Sequence, residues 1–99
     1  MIRGTTPTLQ FTLPVEHSEL SCMYVTLSQC GIVVVEKCIT DCDCNGADVS
    51  CCLTQKDTLA LTDRRPVDIQ VRAKTSDGTA MASQVYTIPA LRNLKDGEI

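Results

Sequence analysis

The chain has 99 residues, a net charge of −3, 43% hydrophobic and 21% charged residues and 7 cysteines. That is enough for one domain, which at this size buries roughly 60–65% of the surface its unfolded chain exposes. With a pI near 4.9 and no basic cluster larger than Arg64-Arg65, it lacks the electrostatic footprint of a nucleic-acid-binding protein.

Only Phe11, Tyr24 and Tyr86 are aromatic, so the core has to be built from aliphatic and small side chains. The opening stretch "MIRGTTPTLQFTLP" carries no apolar segment of the kind that directs secretion, and no apolar run approaches 18 residues. The expectation is a chain synthesised in the cytoplasm of its host, with no membrane partner. Disulfides are rare in such a compartment, and an odd number of cysteines leaves one unpaired in a monomer.

Taken in chain order, the segments alternate with period two. In "TLQFTLP" Leu9, Phe11 and Leu13 share one face, Thr8, Gln10 and Thr12 the other, and Pro14 ends the run. Residues 22–29 and 32–38 flank Cys30-Gly31 and read as a hairpin. A second hairpin is expected at Asn45-Gly46. In "LTQKDTLALTD", Thr54 is placed to cap one helical turn over about 55–60, which crosses between sheets. "PVDIQVRAKT" then alternates cleanly, with Val67, Ile69, Val71 and Ala73 inward, and turns at Asp77-Gly78 into residues 79–88. Strict pairing there turns Ala82, Gln84, Tyr86 and Ile88 inward, whereas a one-residue bulge selects Met81, Ser83, Val85 and Thr87. The whole predicts an all-β, immunoglobulin-like antiparallel β-sandwich of about seven strands with one short helical crossover, over residues 1–90, followed by a C-terminal tail at 91–99.

The succession "TPTLQFTLP", "YVTLSQCGIVVVEK", "CCLTQKDTLAL", "VDIQVRAKTSDGTAMAS" and "LKDGEI" resembles small immunoglobulin-like tail and baseplate-associated proteins of phages and prophages of Gram-positive bacteria, including the N-terminal domains of upper-baseplate receptor-binding proteins. The resemblance covers nearly the whole chain. It implies a virion structural or adaptor role among other tail proteins, and it carries over no site residue. Nothing in it accounts for the cysteines.

Five cysteines fall within "CITDCDCNGADVSCC", residues 38–52. With Asn45-Gly46 as the two central residues of a turn, Cys44 faces Ala47, Cys42 faces Val49, Thr40 faces Cys51 and Cys38 faces Leu53. Cys38, Cys42, Cys44 and Cys51 then share the face of Val49 and Leu53, where free cysteine packs as a small hydrophobe. No cysteine opposes another in this register. Cys42 and Cys44, about 6.5 Å apart along the strand, are too far apart to bond. Four thiols spread over a pleated face do not converge on a tetrahedral metal. The reading is reduced, core-packed thiols, with no metal and no cofactor. His17, the only histidine, reads as a solvated loop residue. Asp41, Asp43 and Asp48 match no calcium loop and read as an acidic strand end.

Strict pairing across Cys30-Gly31 puts Met23, Val25, Leu27, Val34 and Cys38 on the core face. It leaves Cys22, Tyr24, Val33, Val35 and Ile39 on the other, an apolar row where solvated residues are expected. The function expected is therefore non-enzymatic binding of other proteins, including other copies of the chain. No catalytic residue and no small-molecule substrate are assigned. The interface residues are Tyr24, Val33, Val35 and Ile39 with Leu91, Leu94 and Ile99 of the tail. The alternatives are a carbohydrate-binding module, which needs exposed aromatic rings that here reduce to Tyr24 and Tyr86, and a thiol-rich metal-binding protein.

Overall fold

Alternation along the chain is realised as eight strands and one helix in a computed structural model that describes residues 1–99: β1 (Thr8–Thr12), β2 (Leu20–Gln29), β3 (Ile32–Cys38), β4 (Asp43–Asn45), β5 (Asp48–Cys52), α1 (Gln55–Leu59), β6 (Val67–Thr75), β7 (Ala80–Ala82) and β8 (Tyr86–Ile88). The strands form two antiparallel sheets, one of order β1-β5-β4 and one of order β3-β2-β6-β7 in which β8 also pairs with β6. The protein is an all-β sandwich, and α1 is the expected crossover from one sheet to the other. No helix is long and apolar enough to cross a membrane.

The core sits where the long central strands face β5. Met23, Val25 and Leu27 of β2, Val67 of β6 and Leu53 after β5 are wholly buried, each stabilising the fold by about 1.5–3 kcal/mol relative to exposure. The strand count exceeds seven because residues 79–88 divide. In β7 Met81 lies opposite Ala73 and points inward; in β8 Tyr86 and Ile88 lie opposite Ile69 and Val67. Each of the two expected registers thus holds over half of the segment. The change of face occurs at Ser83, whose N–H donates to the Val71 carbonyl at 2.8 Å while its Oγ accepts from the Val71 N–H at 3.0 Å. A hydroxyl replaces a ladder carbonyl, and pairing survives the break.

The β2–β3 turn carries positive φ at both Cys30 (51°) and Gly31 (76°), the pattern of a type I′ hairpin. Its ladder is not strict. Ser28 opposes Val33, but Leu27 opposes Val35, so Val34 is the extra residue of a β-bulge. Every side chain beyond it changes face. Val35 enters the core at 6% exposure, and Cys38 moves opposite Tyr24 onto the outer face, a correction to both placements. A 3₁₀ turn over Ile39–Asp41 then leads into β4.

The β4–β5 turn is also displaced. Asn45 pairs with Asp48 and Cys44 with Val49, so the central residues are Gly46 and Ala47 rather than Asn45 and Gly46. Gly46 has φ +59° and Ala47 is not positive, which fits the single left-handed position of a type II′ turn. The slip moves each pairing by two positions in the sum of residue numbers, which leaves the faces unchanged. Cys44, Val49 and Cys51 therefore do share the inner face.

Helix α1 is capped as its sequence indicates: Thr54 Oγ1 accepts from the Asp57 N–H at 3.1 Å and Asp57 Oδ2 accepts from the Thr54 N–H at 2.9 Å, a capping box. The N-terminal arm and the tail hold each other. Leu91 N–H donates to Met1 O and Arg3 N–H to Leu91 O. The Arg3 guanidinium donates to the Leu61 and Leu59 carbonyls at 2.7 and 3.0 Å, satisfying acceptors at and just beyond the helix end.

Candidate functional site: an open groove between the sheets

The two sheets meet well along one side and part along the other. Between β1 and the β6–β7–β8 region lies a groove of about 660 Å³ lined by 15 residues, 10 of them hydrophobic. Leu9, Phe11 and Leu13 form one wall, as their spacing requires, with Val71 and Ala73 of β6 at the base and Met81, Tyr86 and Ile88 on the other wall. Leu9, Phe11 and Leu13 are half-buried against the core. Tyr86 is 52% exposed at the lip although it lies on the core face of its sheet.

The rim of the groove is a free strand edge. Leu13 N–H donates to Ala47 O and Leu53 N–H to Pro7 O, so the odd-numbered residues of β1 exchange their main-chain bonds with β5. The N–H and C=O groups of Thr8, Gln10 and Thr12 consequently point away from the sheet. None of the residues in β1, β7 or β8 is charged. Lysines, bulges and charges are the usual devices that stop a further strand from adding to an edge, and this edge has none.

The opposite side is closed. Lys37 lies across from Val25, on the inner face of β3, and its Nζ reaches Asp57 Oδ2 of α1 at 2.8 Å, with both side chains 19% exposed. The hydrogen bond it donates to Asp57 holds the ammonium above its ordinary pKa against the opposing effect of burial. Burial alone would raise the Asp57 carboxyl, but hydrogen bonds from Lys37 and from Thr54 hold it below the usual carboxylate value.

The sequence-predicted interface residues divide. Tyr24 and Val33 are exposed, at 44% and 54%, on the outer face of the five-stranded sheet. Val35 is in the core, and Ile39, in the 3₁₀ turn, is half-buried and packed against it. Leu91, Leu94 and Ile99 are exposed but belong to the tail bound at the N-terminal arm and α1, where Ile99 N–H donates to Gln55 Oε1 at 2.8 Å. Neither the arm nor the tail is hydrogen-bonded to the outer sheet face. The groove residues themselves were visible only as inward positions, because nothing local in the sequence indicates which sheet edges face each other without closing.

Of the four cysteines expected inside, Cys51 is fully buried, while Cys38, Cys42 and Cys44 are half-buried. Cys38 Sγ approaches Thr40 Oγ1 at 2.9 Å and Asp41 Oδ2 at 3.2 Å, and hydrogen bonds from the Cys38 N–H and thiol hold the Asp41 carboxyl low. The Cys42 thiol sits between the Cys38 carbonyl, 3.5 Å away, and the Cys51 sulfur. Burial, together with the Cys51 hydrogen bond, pushes it up to about 12. Burial raises Cys51 as well. No group of three or more His, Cys, Asp or Glu side chains is arranged to hold a metal ion.

Compared with protein-family models, with curated proteins and with solved structures, the chain matches none.

Proposed function

We propose that this chain is a non-enzymatic protein-binding module, a structural or adaptor component whose open edge accepts an extended segment of another polypeptide. One observation carries the reading: a single groove combines apolar walls, free main-chain donors and acceptors along β1, and no charge on either bordering edge. An added strand would bond to Thr8, Gln10 and Thr12 and direct alternate side chains between Phe11 and Met81, the recognition mode of β-strand addition. The resemblance to phage and prophage tail and baseplate proteins supplies the context, in which the partner is another virion protein or a second copy. Genes for tail tube, tape measure and fibre on either side would support that context.

The carbohydrate reading is weaker, because Tyr24 and Tyr86 lie on opposite faces of the five-stranded sheet and cannot form one platform.

The test uses a fluorescent ten-residue peptide of alternating valine and threonine, and the same peptide with alternate backbone nitrogens methylated. The first should bind with micromolar affinity by polarisation and the second at least tenfold more weakly. Met81→Lys should abolish the difference. No binding, or equal binding of the two peptides, would overturn the proposal.

A further inference from the structure

The β4–β5 register places two thiols face to face. Asn45, Cys44 and Asp43 pair with Asp48, Val49 and Ser50, and the next step of the same ladder sets Cys42 opposite Cys51. Cys42 keeps an extended backbone, with φ −116° and ψ 154°, so it continues the strand by one residue. The two thiols lie close enough that each influences the titration of the other.

The type of pair follows from the other side of β5. Because Ala47 and Leu53 bond to the first strand, the odd-numbered residues of β5 direct their main-chain groups away from β4. Cys42 and Cys51 therefore form a non-hydrogen-bonded pair, for which opposed Cα atoms lie about 4.5 Å apart. That falls within the range of about 4.4–6.8 Å spanned by disulfides. Cys44, opposite Val49, is a diagonal neighbour of Cys51 and lies farther away.

We infer that Cys42 and Cys51 of the folded protein form an intramolecular disulfide on exposure to a small-molecule disulfide oxidant, latching the hairpin that supplies two of the three strands of the smaller sheet. The Cys42 thiolate attacks one sulfur of the oxidant, forming a mixed disulfide and releasing one thiolate. The Cys51 thiolate then attacks the Cys42 sulfur, forming the protein S–S bond and expelling the second. The two protons lost by the cysteines end on the two released thiols, so the protein is oxidised by two electrons and the reagent reduced by two. Cys42 is the point of attack because Cys51 has no exposed surface. The thiolate fraction at Cys42 is small at neutral pH, which makes the reaction slow there and faster in mild alkali. The bond adds a lock after folding and is not needed for it. It is independent of the groove.

The experiment oxidises the reduced Cys52→Ser protein with glutathione disulfide at pH 8.5, alkylates the remaining thiols, and cleaves before aspartate. Cys42, Cys44 and Cys51 then fall on separate fragments, 41–42, 43–47 and 48–56. The expected product is monomer with fragment 41–42 joined to 48–56 and Cys44 alkylated, and a Cys44→Ser change should leave its yield within twofold. A dominant bond from Cys42 or Cys51 to any other cysteine would overturn the inference. So would recovery of both as free thiols after the exposed Cys30 has reacted completely.

Discussion

The two long sides of the sandwich are made of similar short strands and finished in opposite ways. On the β3–β4 side a bulge at Val34, a 3₁₀ turn and the Lys37–Asp57 pair draw the sheets together. On the β1–β8 side the strands are uncharged, the second sheet ends in a broken strand, and a groove remains between Phe11 and Met81. The closed side is tied across by a charged pair, whereas the regular, uncharged β1 leaves its outward main-chain groups free to pair again.

The largest expected effect separates two neighbouring valines on the closed side. Val35→Lys places an unpaired charge in the core and should destabilise the domain by about 3 kcal/mol or more, read as a shifted urea midpoint. Val33→Lys, on the outer face, should change stability by about 0.5 kcal/mol or less. Equal effects would mean that the bulge is absent.

A smaller effect tests the ion pair. Lys37→Met should cost about 1 kcal/mol at neutral pH. The pH dependence has two limbs. Asp57 titrates low in the folded chain, so its contribution is complete above 3.8 and is lost as pH falls through the folded value. Lys37 titrates high, so its contribution is complete below 10.5 and is lost as pH rises through the folded value. The advantage of the parent over Lys37→Met in urea unfolding should therefore shrink at both extremes. A pH-independent difference would assign the effect to packing of the lysine stem.

The smallest stability effect belongs to the open side. Gln10→Lys, at an outward position of β1, should leave the unfolding midpoint within about 0.5 kcal/mol of the parent while weakening binding of the alternating peptide at least tenfold. A large loss of stability would show that this edge is already part of a closed structure.

Much of this architecture is legible locally. Alternation marks β1, β2 and β6, and Thr54 with Asp57 marks the start of the helix. The β4–β5 turn slips by one residue without consequence for the faces, since a slip that preserves parity keeps Cys44, Val49 and Cys51 inside. The run Val33-Val34-Val35 is different. Three identical side chains carry no polar marker of which face is wet, so a strict ladder and a bulged one look alike in sequence. One unmarked residue moves Val35 inward and Cys38 outward. At residues 79–88 both registers are partly right, because Ser83 can stand in for a backbone acceptor. The groove depends on sheet order, which pairs strands far apart in the chain and is not written in any single segment.

The grip of the arm and tail on α1 also bears on chain connectivity. Arg3 holds the carbonyls at one end of this helix and Ile99 is bonded to Gln55 at the other, and five residues of helix span only about 7.5 Å. The two termini emerge at a common pole, so a short linker between Ile99 and Met1 could make the backbone circular. New ends could then be opened at Gly78, whose added Cβ would meet nothing within 4 Å. The same proximity lets the domain be spliced into a surface loop of another protein as a side branch, entering and leaving through one point of attachment.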